Sequence, residues 1–179
     1  MEKPVYALVA NQYKVDMSLA VNEDLTSYEN FNQFFTRPLK PEVRPICSEA
    51  NGIACPVDGT VSQAGKINDE AIFQAKGHDY SLTELLGSQI KWVDQFRNGS
   101  FATIYLSPKD YHRIHMPFDG KLKQMTYVPG KLYSVSPATT REIPRLFASN
   151  ERVVCFFETA VGPMVVILVG AMIVGSIET

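Results

Sequence analysis

The sequence predicts an α+β fold that is mainly β: a sandwich or barrel of paired antiparallel sheets, with helices on its N-terminal edge. From about residue 53 onward, short stretches rich in β-branched and aromatic residues follow one another, and such residues favour strands. Turn signals recur between these stretches at short spacing, which is typical of antiparallel sheets. The first 46 residues are interpreted as helical and peripheral.

This division predicts two parts, an N-terminal helical arm over residues 1–46 and a β-rich domain over residues 47–179. Ser81 and Glu84 have the spacing of a capping box, which predicts a short helix over LTELLG. Strands are predicted in GTVSQAGKI, AIFQAKG, GSFATIYLS, GKLKQMTYV, ERVVCFFET and GPMVVILVGAMIVGSIE.

The arm contains an aromatic cluster with two interpretations. Thr26 and Glu29 have capping-box spacing, and the aromatic residues around them fall on one helical face: Tyr28, Phe31, Phe34 and Phe35. This face either packs on the main domain or faces a membrane. In the second case three cations would lie near lipid headgroups: Arg37, Lys40 and Arg44.

Composition excludes several classes of protein. The net charge of −2 over 179 residues gives no basic surplus for binding nucleic acid. Three cysteines without a C-x-x-C pair do not form a disulfide framework, and they fit a reducing compartment. The longest apolar run, Met164 to Gly175, has 12 residues, whereas a membrane-spanning helix needs about 20. The run is therefore interpreted as buried strands.

Two of the three histidines lie in the stretch LSPKDYHRIHMPFDG, which makes it the first candidate for chemistry. The chain is predicted to make one helical turn after SPKD and then to become extended, because Met116 precedes a proline. His112 and His115 can converge at such a junction, and imidazoles exchange protons near neutral pH. The alternative is a pair of structural histidines.

The second candidate is Asp58 in CPVDGTV. It is either a turn residue before Gly59 or a carboxylate that orients a histidine, as in a Ser-His-Asp relay. His78 is the third candidate, and it could complete a zinc site with His112, His115 and a cysteine. No pair of these residues has a recognised zinc spacing, and no serine lies in G-x-S-x-G.

Longer motifs occur in one order along nearly the whole chain: YKVDM, FNQFFTRPLKPEVRPI, PVDGTVSQAGKI, QAKGHDYSLTELL, FRNGSFATIYLSPKDYHRIHMPFDG, YVPGKLYSV, LFASNERVVCFFET and GPMVVILVGAMIVGSIET. Together they closely resemble the bacterial phosphatidylserine decarboxylase proenzyme. The resemblance implies the conversion of phosphatidylserine to phosphatidylethanolamine and CO2. It implies a pyruvoyl cofactor formed when a serine of a Gly-Ser-Thr motif cleaves the family's own chain.

The resemblance also implies roles for particular residues. Asp58 and His115 match the aspartate and histidine of the self-cleavage relay, and His112 matches a histidine of the decarboxylation step. Ser134, in YVPGKLYSV, is a candidate for contact with the phosphate of the headgroup, beside the simpler interpretation as an ordinary strand-end serine. The relay requires Asp58 and His115 to lie side by side.

No Gly-Ser-Thr occurs in the 179 residues, since Ser88, Ser100 and Ser176 lack that context. We therefore expect a fragment that corresponds to the β-chain region and is inactive alone, with the pyruvoyl-forming serine beyond Thr179. The implied partners are the α subunit, phosphatidylserine, a membrane surface and a second copy in a homodimer, at the cytoplasmic face of the membrane as a peripheral protein. A zinc hydrolase and a non-enzymatic membrane- or partner-binding β module are the alternatives.

Overall fold

More residues of this protein lie in strands than in helices. A computed structural model describes residues 5–49, 52–75 and 77–178. The strands are β1 (Thr60–Lys66), β2 (Ala71–Ala75), β3 (His78–Ser81), β4 (Ser100–Tyr105), β5 (Gly120–Val128), β6 (Arg152–Thr159) and β7 (Gly162–Val169). The helices are α1 (Val5–Tyr13), α2 (Phe31–Phe35), α3 (Leu82–Leu85), α4 (Ile90–Phe96), α5 (Pro137–Glu142) and α6 (Leu146–Ser149). Some predictions fall on residues outside the described ranges. These are residues 1–4 of the predicted arm, residues 50, 51 and 179 of the predicted domain, and residue 76 of the predicted AIFQAKG strand.

The strands form three small sheets, so the predicted α+β class is confirmed. β1 pairs with β4, β2 pairs antiparallel with β3, and β5, β6 and β7 form an antiparallel sheet in that order. Within the described residues these sheets do not close on one another, so a barrel is wrong. The β6–β7 hairpin turns at Ala160 and Val161, and Gly162 follows with a φ of 122° that disfavours a side chain.

The chain forms two compact units. The first comprises Met1–Thr60 and Leu106–Phe118, and the second comprises Val61–Tyr105 and Asp119–Thr179. A separate arm over residues 1–46 stays a prediction.

The aromatic side chains of the N-terminal region form the core of the first unit. Three aromatic side chains are buried together: Tyr6 in α1, Tyr28 just before α2, and Phe34 in α2. The Tyr6 hydroxyl donates to the Tyr28 carbonyl at 2.6 Å. Tyr28 packs edge-on against Phe34, with ring centroids 6.0 Å apart. The aromatic residues singled out in the sequence therefore pack inside this unit, chiefly against α1.

The capping box predicted at Thr26 and Glu29 is wrong. Asn30 caps α2, because its side chain accepts a hydrogen bond from the Gln33 backbone N–H at 3.0 Å. Asp24 caps a separate 3-10 turn, Leu25–Ser27. Asparagine and aspartate cap helices as well as threonine does, so the spacing alone did not select between neighbouring caps. The capping box at Ser81 and Glu84 is confirmed at the start of α3.

The three cations that could have faced lipid are bound within the first unit instead. Arg37 is buried, and its guanidinium lies over the Phe34 ring, 5.3 Å from the centroid. Lys40 pairs with Glu23 at 2.7 Å. Arg44 pairs with Asp58. The buried position of Arg37 rules it out as a headgroup contact.

The second unit has its own core between the β5–β6–β7 sheet and the short helices α3 and α4. Val154 and Phe156 of β6 are fully buried, and Trp92 of α4 stacks on Phe156 with centroids 4.6 Å apart. Leu86 and Val93 complete the centre of this core. Their burial explains why the strand predicted at ERVVCFFET is almost continuously apolar.

The apolar run Met164–Gly175 is only partly a strand. β7 ends at Val169, and a turn follows in which Ala171 pairs with Val174. Met172 and Ile173 are exposed in that turn, so the prediction of buried strands was wrong there. None of the helices in the described part of the chain is long and apolar enough to cross a membrane.

Candidate functional site

Two extended segments of the first unit lie side by side and carry the predicted site residues. The Ala54 N–H donates to the Pro117 carbonyl, and the His115 N–H donates to the Pro56 carbonyl, both at 2.9 Å. Each segment contains a proline, which holds the preceding residue extended. This pairing brings His115 next to the segment that leads into Asp58.

A tight turn precedes the histidines. The Asp110 N–H donates to the Ser107 carbonyl at 2.9 Å, and the Asp110 carboxylate accepts the Ser107 N–H at 2.7 Å. An aspartate at the end of a turn is well suited to bond the backbone in this way. The helical turn predicted after SPKD is therefore wrong, and residues 111–116 belong to no helix or strand.

His112 is held in a half-buried position by an aromatic ring and a carbonyl. Its ring packs on Phe35, with centroids 3.9 Å apart, and its Nδ1 lies 2.8 Å from the Asp110 carbonyl oxygen. A carbonyl only accepts, so Nδ1 carries a proton. Burial lowers the pKa of His112 from its usual 6.5. The neutral ring therefore has a lone pair on Nε2.

His115 is exposed, in contrast to His112, and its ring is held by one neighbour. The Tyr111 hydroxyl lies 3.1 Å from Nε2 of His115. The two rings stack with centroids 5.6 Å apart and an interplanar angle of 27°. The imidazole is thus oriented from one side and open to solvent on the other.

Asp58 is half-buried and is bound by Arg44 through both carboxylate oxygens. Nε of Arg44 donates to Oδ1 at 2.6 Å, and Nη2 donates to Oδ2. This hydrogen bond raises the pKa of Arg44. Among the hydrogen bonds of the described residues, none joins Asp58 to His115. Their common role stays a prediction.

Sequence reasoning missed the residues that fix the histidine segment. Nη2 of Arg37 donates to the Lys109 carbonyl at 3.0 Å, and Nε of Arg113 donates to the Thr36 carbonyl at 2.7 Å. Burial lowers the pKa of Arg37, and the nearby Tyr28, Asp110 and Asp58 partly offset this effect because they raise the pKa. The motif TRPL alone carries no signal for these contacts, because they join residues more than 70 positions apart.

The remaining candidates lie in the second unit and have structural partners. His78, in β3, has Nε2 3.0 Å from the Arg141 carbonyl oxygen. Ser134 is half-buried before α5, where its carbonyl accepts the Thr139 hydroxyl at 2.6 Å. Across the described ranges, no three His, Cys, Asp or Glu residues lie close enough to hold a metal ion. The zinc alternative is therefore unsupported.

The fold and this site define a class of protein: an α+β protein that carries two imidazoles and a carboxylate, the predicted acid-base residues, on adjoining segments. The sequence pattern of one family, phosphatidylserine decarboxylase, matches residues 31–179, a range that includes all three side chains. The chain belongs to the phosphatidylserine decarboxylase family.

Similarity to individual relatives extends over nearly the whole chain. The phosphatidylserine decarboxylase proenzyme of Shewanella pealeana is 60% identical over 168 residues, which cover 94% of this chain and 58% of the relative. The proenzyme of Ectopseudomonas mendocina is 56% identical over 179 residues, which cover 100% of this chain and 63% of the relative. The proenzyme of Pseudomonas aeruginosa is 57% identical over 173 residues, with coverage of 97% and 60%. The chain thus spans about three fifths of the length of these relatives.

Proposed function

We propose that this chain is part of a pyruvoyl-dependent decarboxylase that converts phosphatidylserine to phosphatidylethanolamine and CO2. The observation that carries the proposal is the match to the phosphatidylserine decarboxylase family over residues 31–179. The relatives are named as proenzymes, which fits activation by chain cleavage. Since no Gly-Ser-Thr occurs in the 179 residues, the serine that forms the cofactor belongs to sequence outside them.

In the cleavage step, His115 acts as the base for the serine and Asp58 orients its ring. A serine hydroxyl is a weak nucleophile unless a neighbouring group removes its proton. Arg44 does not conflict with this role of Asp58, because a carboxylate has about four lone-pair sites and Arg44 uses two of them. Arg44 holds the carboxylate in place while one further site is left for the Nδ1–H of His115.

In the decarboxylation step, His112 moves a proton at the carbon that loses CO2. When bound, the pyruvoyl group supplies an electrophilic carbonyl that withdraws the electrons released by CO2 loss. The residues present fit such a group, since Nε2 of His112 has no hydrogen-bond partner among the described residues while Nδ1 is anchored at Asp110. A half-buried imidazole with one nitrogen anchored can deliver a proton in a defined direction.

The relay is tested by expressing the chain with its natural downstream sequence and following cleavage by mass spectrometry. We expect two fragments, one with a pyruvoyl N-terminus. Asp58→Asn and His115→Ala should leave the chain uncut, whereas His112→Ala should be cut yet release no CO2. His78→Ala is the matched control, because the hydrogen bond of the His78 side chain in the described structure is to the Arg141 carbonyl, in the second unit. Full processing of His115→Ala would contradict the relay.

The further partners of the proposal are the α subunit produced by cleavage, a membrane surface that presents phosphatidylserine, and a second copy of the chain in a homodimer. The substrate is a membrane lipid, so the enzyme would work as a peripheral protein at the cytoplasmic face. Ser134 remains a candidate for contact with the headgroup phosphate, because its hydroxyl accepts only a long hydrogen bond of 3.4 Å from the Ser136 N–H. Ser134→Ala should raise KM for phosphatidylserine without changing chain cleavage.

A further inference from the structure

Tyr111 contacts the proposed base directly, although no motif assigned it a role. Its side chain is buried, its ring stacks on His115, and its hydroxyl oxygen lies 3.1 Å from Nε2. The backbone N–H of His115 is held at the same time by the Pro56 carbonyl at 2.9 Å. An exposed histidine is thereby fixed at both its backbone and its ring, which is more restraint than an ordinary surface side chain has.

The phenol supplies the proton of this hydrogen bond. Burial raises the pKa of Tyr111; Arg113 and Arg44 lower it, and Asp58 raises it. The hydroxyl therefore keeps its proton at neutral pH. A buried hydroxyl proton needs an acceptor, and Nε2 of His115 is the acceptor that the described residues provide. Donation to Nε2 leaves the proton of the neutral imidazole on Nδ1.

We propose that Tyr111 is a positioning residue for chain cleavage, which holds neutral His115 as the tautomer with its proton on Nδ1 and a lone pair on Nε2. A Ser-His-Asp relay uses this tautomer, because Nδ1–H donates to the carboxylate while Nε2 accepts the proton of the serine. The inference rests on the proposed function, in which His115 is the base.

The Tyr111 hydroxyl occupies the place at Nε2 that the serine hydroxyl takes during cleavage. The serine replaces it, and the serine O–H bond breaks as the proton passes to Nε2. The serine oxygen bonds to the preceding carbonyl carbon. The proton then passes to the leaving nitrogen as its bond to that carbon breaks. One hydroxyl exchanges for another, so the imidazole has the same orientation and the same neutral tautomer before the proton reaches Nε2, and it returns to that tautomer when the proton leaves Nε2.

The tautomer itself is the first test. Proenzyme in which the cleavage serine is replaced by alanine is labelled with 15N in histidine, and couplings between ring protons and ring nitrogens identify the protonated nitrogen. His115→Gln assigns the signal. We expect His115 to be protonated on Nδ1 in this protein and to lose that preference in Tyr111→Phe. Protonation on Nε2 in the presence of Tyr111 overturns the inference, whether or not the chain is ever cut.

The second test is the rate of cleavage in a pulse-chase. Tyr111→Phe keeps the stacked ring and removes the hydroxyl, so we expect cleavage to slow by about five- to tenfold, the equivalent of one hydrogen bond. Tyr127→Phe is the matched control, because its hydroxyl contacts Glu151 at 3.2 Å on an exposed strand. Equal rates for the two variants overturn the inference. Absence of cleavage in the parent proenzyme contradicts the proposed function instead, and the tautomer still decides the role of Tyr111.

Discussion

At the scale of single residues, the two histidines of one short motif have different environments. His112 is half-buried between Phe35 and the Asp110 carbonyl, whereas His115 is exposed and contacts Tyr111. Burial disfavours the imidazolium ion because the charge loses its hydration. The neutral state of His112 is therefore a property of its packing, and Phe35 is the ring that provides much of that packing.

Phe35→Ala is predicted to raise the pKa of His112 back towards 6.5. The smaller side chain admits water to the ring, and hydration of the imidazolium ion removes the cause of the lowered value. Histidine ring-proton signals followed by NMR over pH measure the change, and His78 in the second unit serves as the internal control. Because His112 delivers a proton only in its protonated form, the basic limb of the decarboxylation rate should move to higher pH with it. An unchanged His112 titration would show that Phe35 does not desolvate the ring.

At the scale of elements, buried polar side chains hold the short helices of the second unit to its sheet. Arg152 of β6 is almost fully buried. Its guanidinium donates to two carbonyls at the end of α3, those of Glu84 at 2.5 Å and Leu85 at 2.7 Å. It also donates to Ala148 and Asn150, both at 2.8 Å. Helices of four residues leave most carbonyls unpaired, and this one side chain pairs several of them.

Arg152→Met is predicted to lower the free energy of unfolding by about 3 kcal/mol, because it leaves buried carbonyls without donors. Urea denaturation of the uncleaved proenzyme measures the difference. Arg141→Met is the control, since Arg141 is exposed on α5 and surface substitutions usually change stability by less than about 0.5 kcal/mol. Similar losses in the two variants would mean that the buried guanidinium contributes little.

At the scale of the whole molecule, the membrane contact that we propose would depend on surfaces that the first unit leaves exposed. α1 buries Tyr6 and Ala10 in the core of this unit, while Leu8 is 59% exposed. Since Arg37 is buried and since Lys40 and Arg44 are paired with Glu23 and Asp58, we expect lipid contact to rely on apolar side chains more than on these cations.

Leu8→Glu is predicted to reduce the fraction of proenzyme that floats with phosphatidylserine vesicles at least threefold, since a carboxylate in place of this exposed leucine opposes insertion into the lipid interface. Val21→Glu is the matched control, because Val21 is 58% exposed and lies outside α1. Equal flotation of the two variants would place the membrane contact elsewhere.

Sequence was sufficient for features that depend on local pattern. The alternation of apolar stretches and turns predicted β1, β2, β4, β5, β6 and β7, and the Ser81–Glu84 spacing predicted α3. The short strand β3, which contains His78, was not predicted. The order of the long motifs also identified the family, because shared ancestry is recorded in sequence directly. The cap at Asn30 and the turn at Ser107–Asp110 were missed, since several neighbouring residues could cap or turn equally well.

Only the tertiary structure decided what surrounds each proposed site residue. Sequence placed Asp58, His112 and His115 in the site by resemblance, but it could not pair Asp58 with Arg44, His112 with Phe35 or His115 with Tyr111. Burial and hydrogen bonding set the charge and tautomer of an imidazole. The ring of Phe35 that packs on His112 is distant in sequence, and the hydrogen bonds from Asp110 and Tyr111, although local, depend on a backbone conformation that sequence did not predict. The family could therefore be identified from the order of residues, whereas the protonation of its histidines depends on packing.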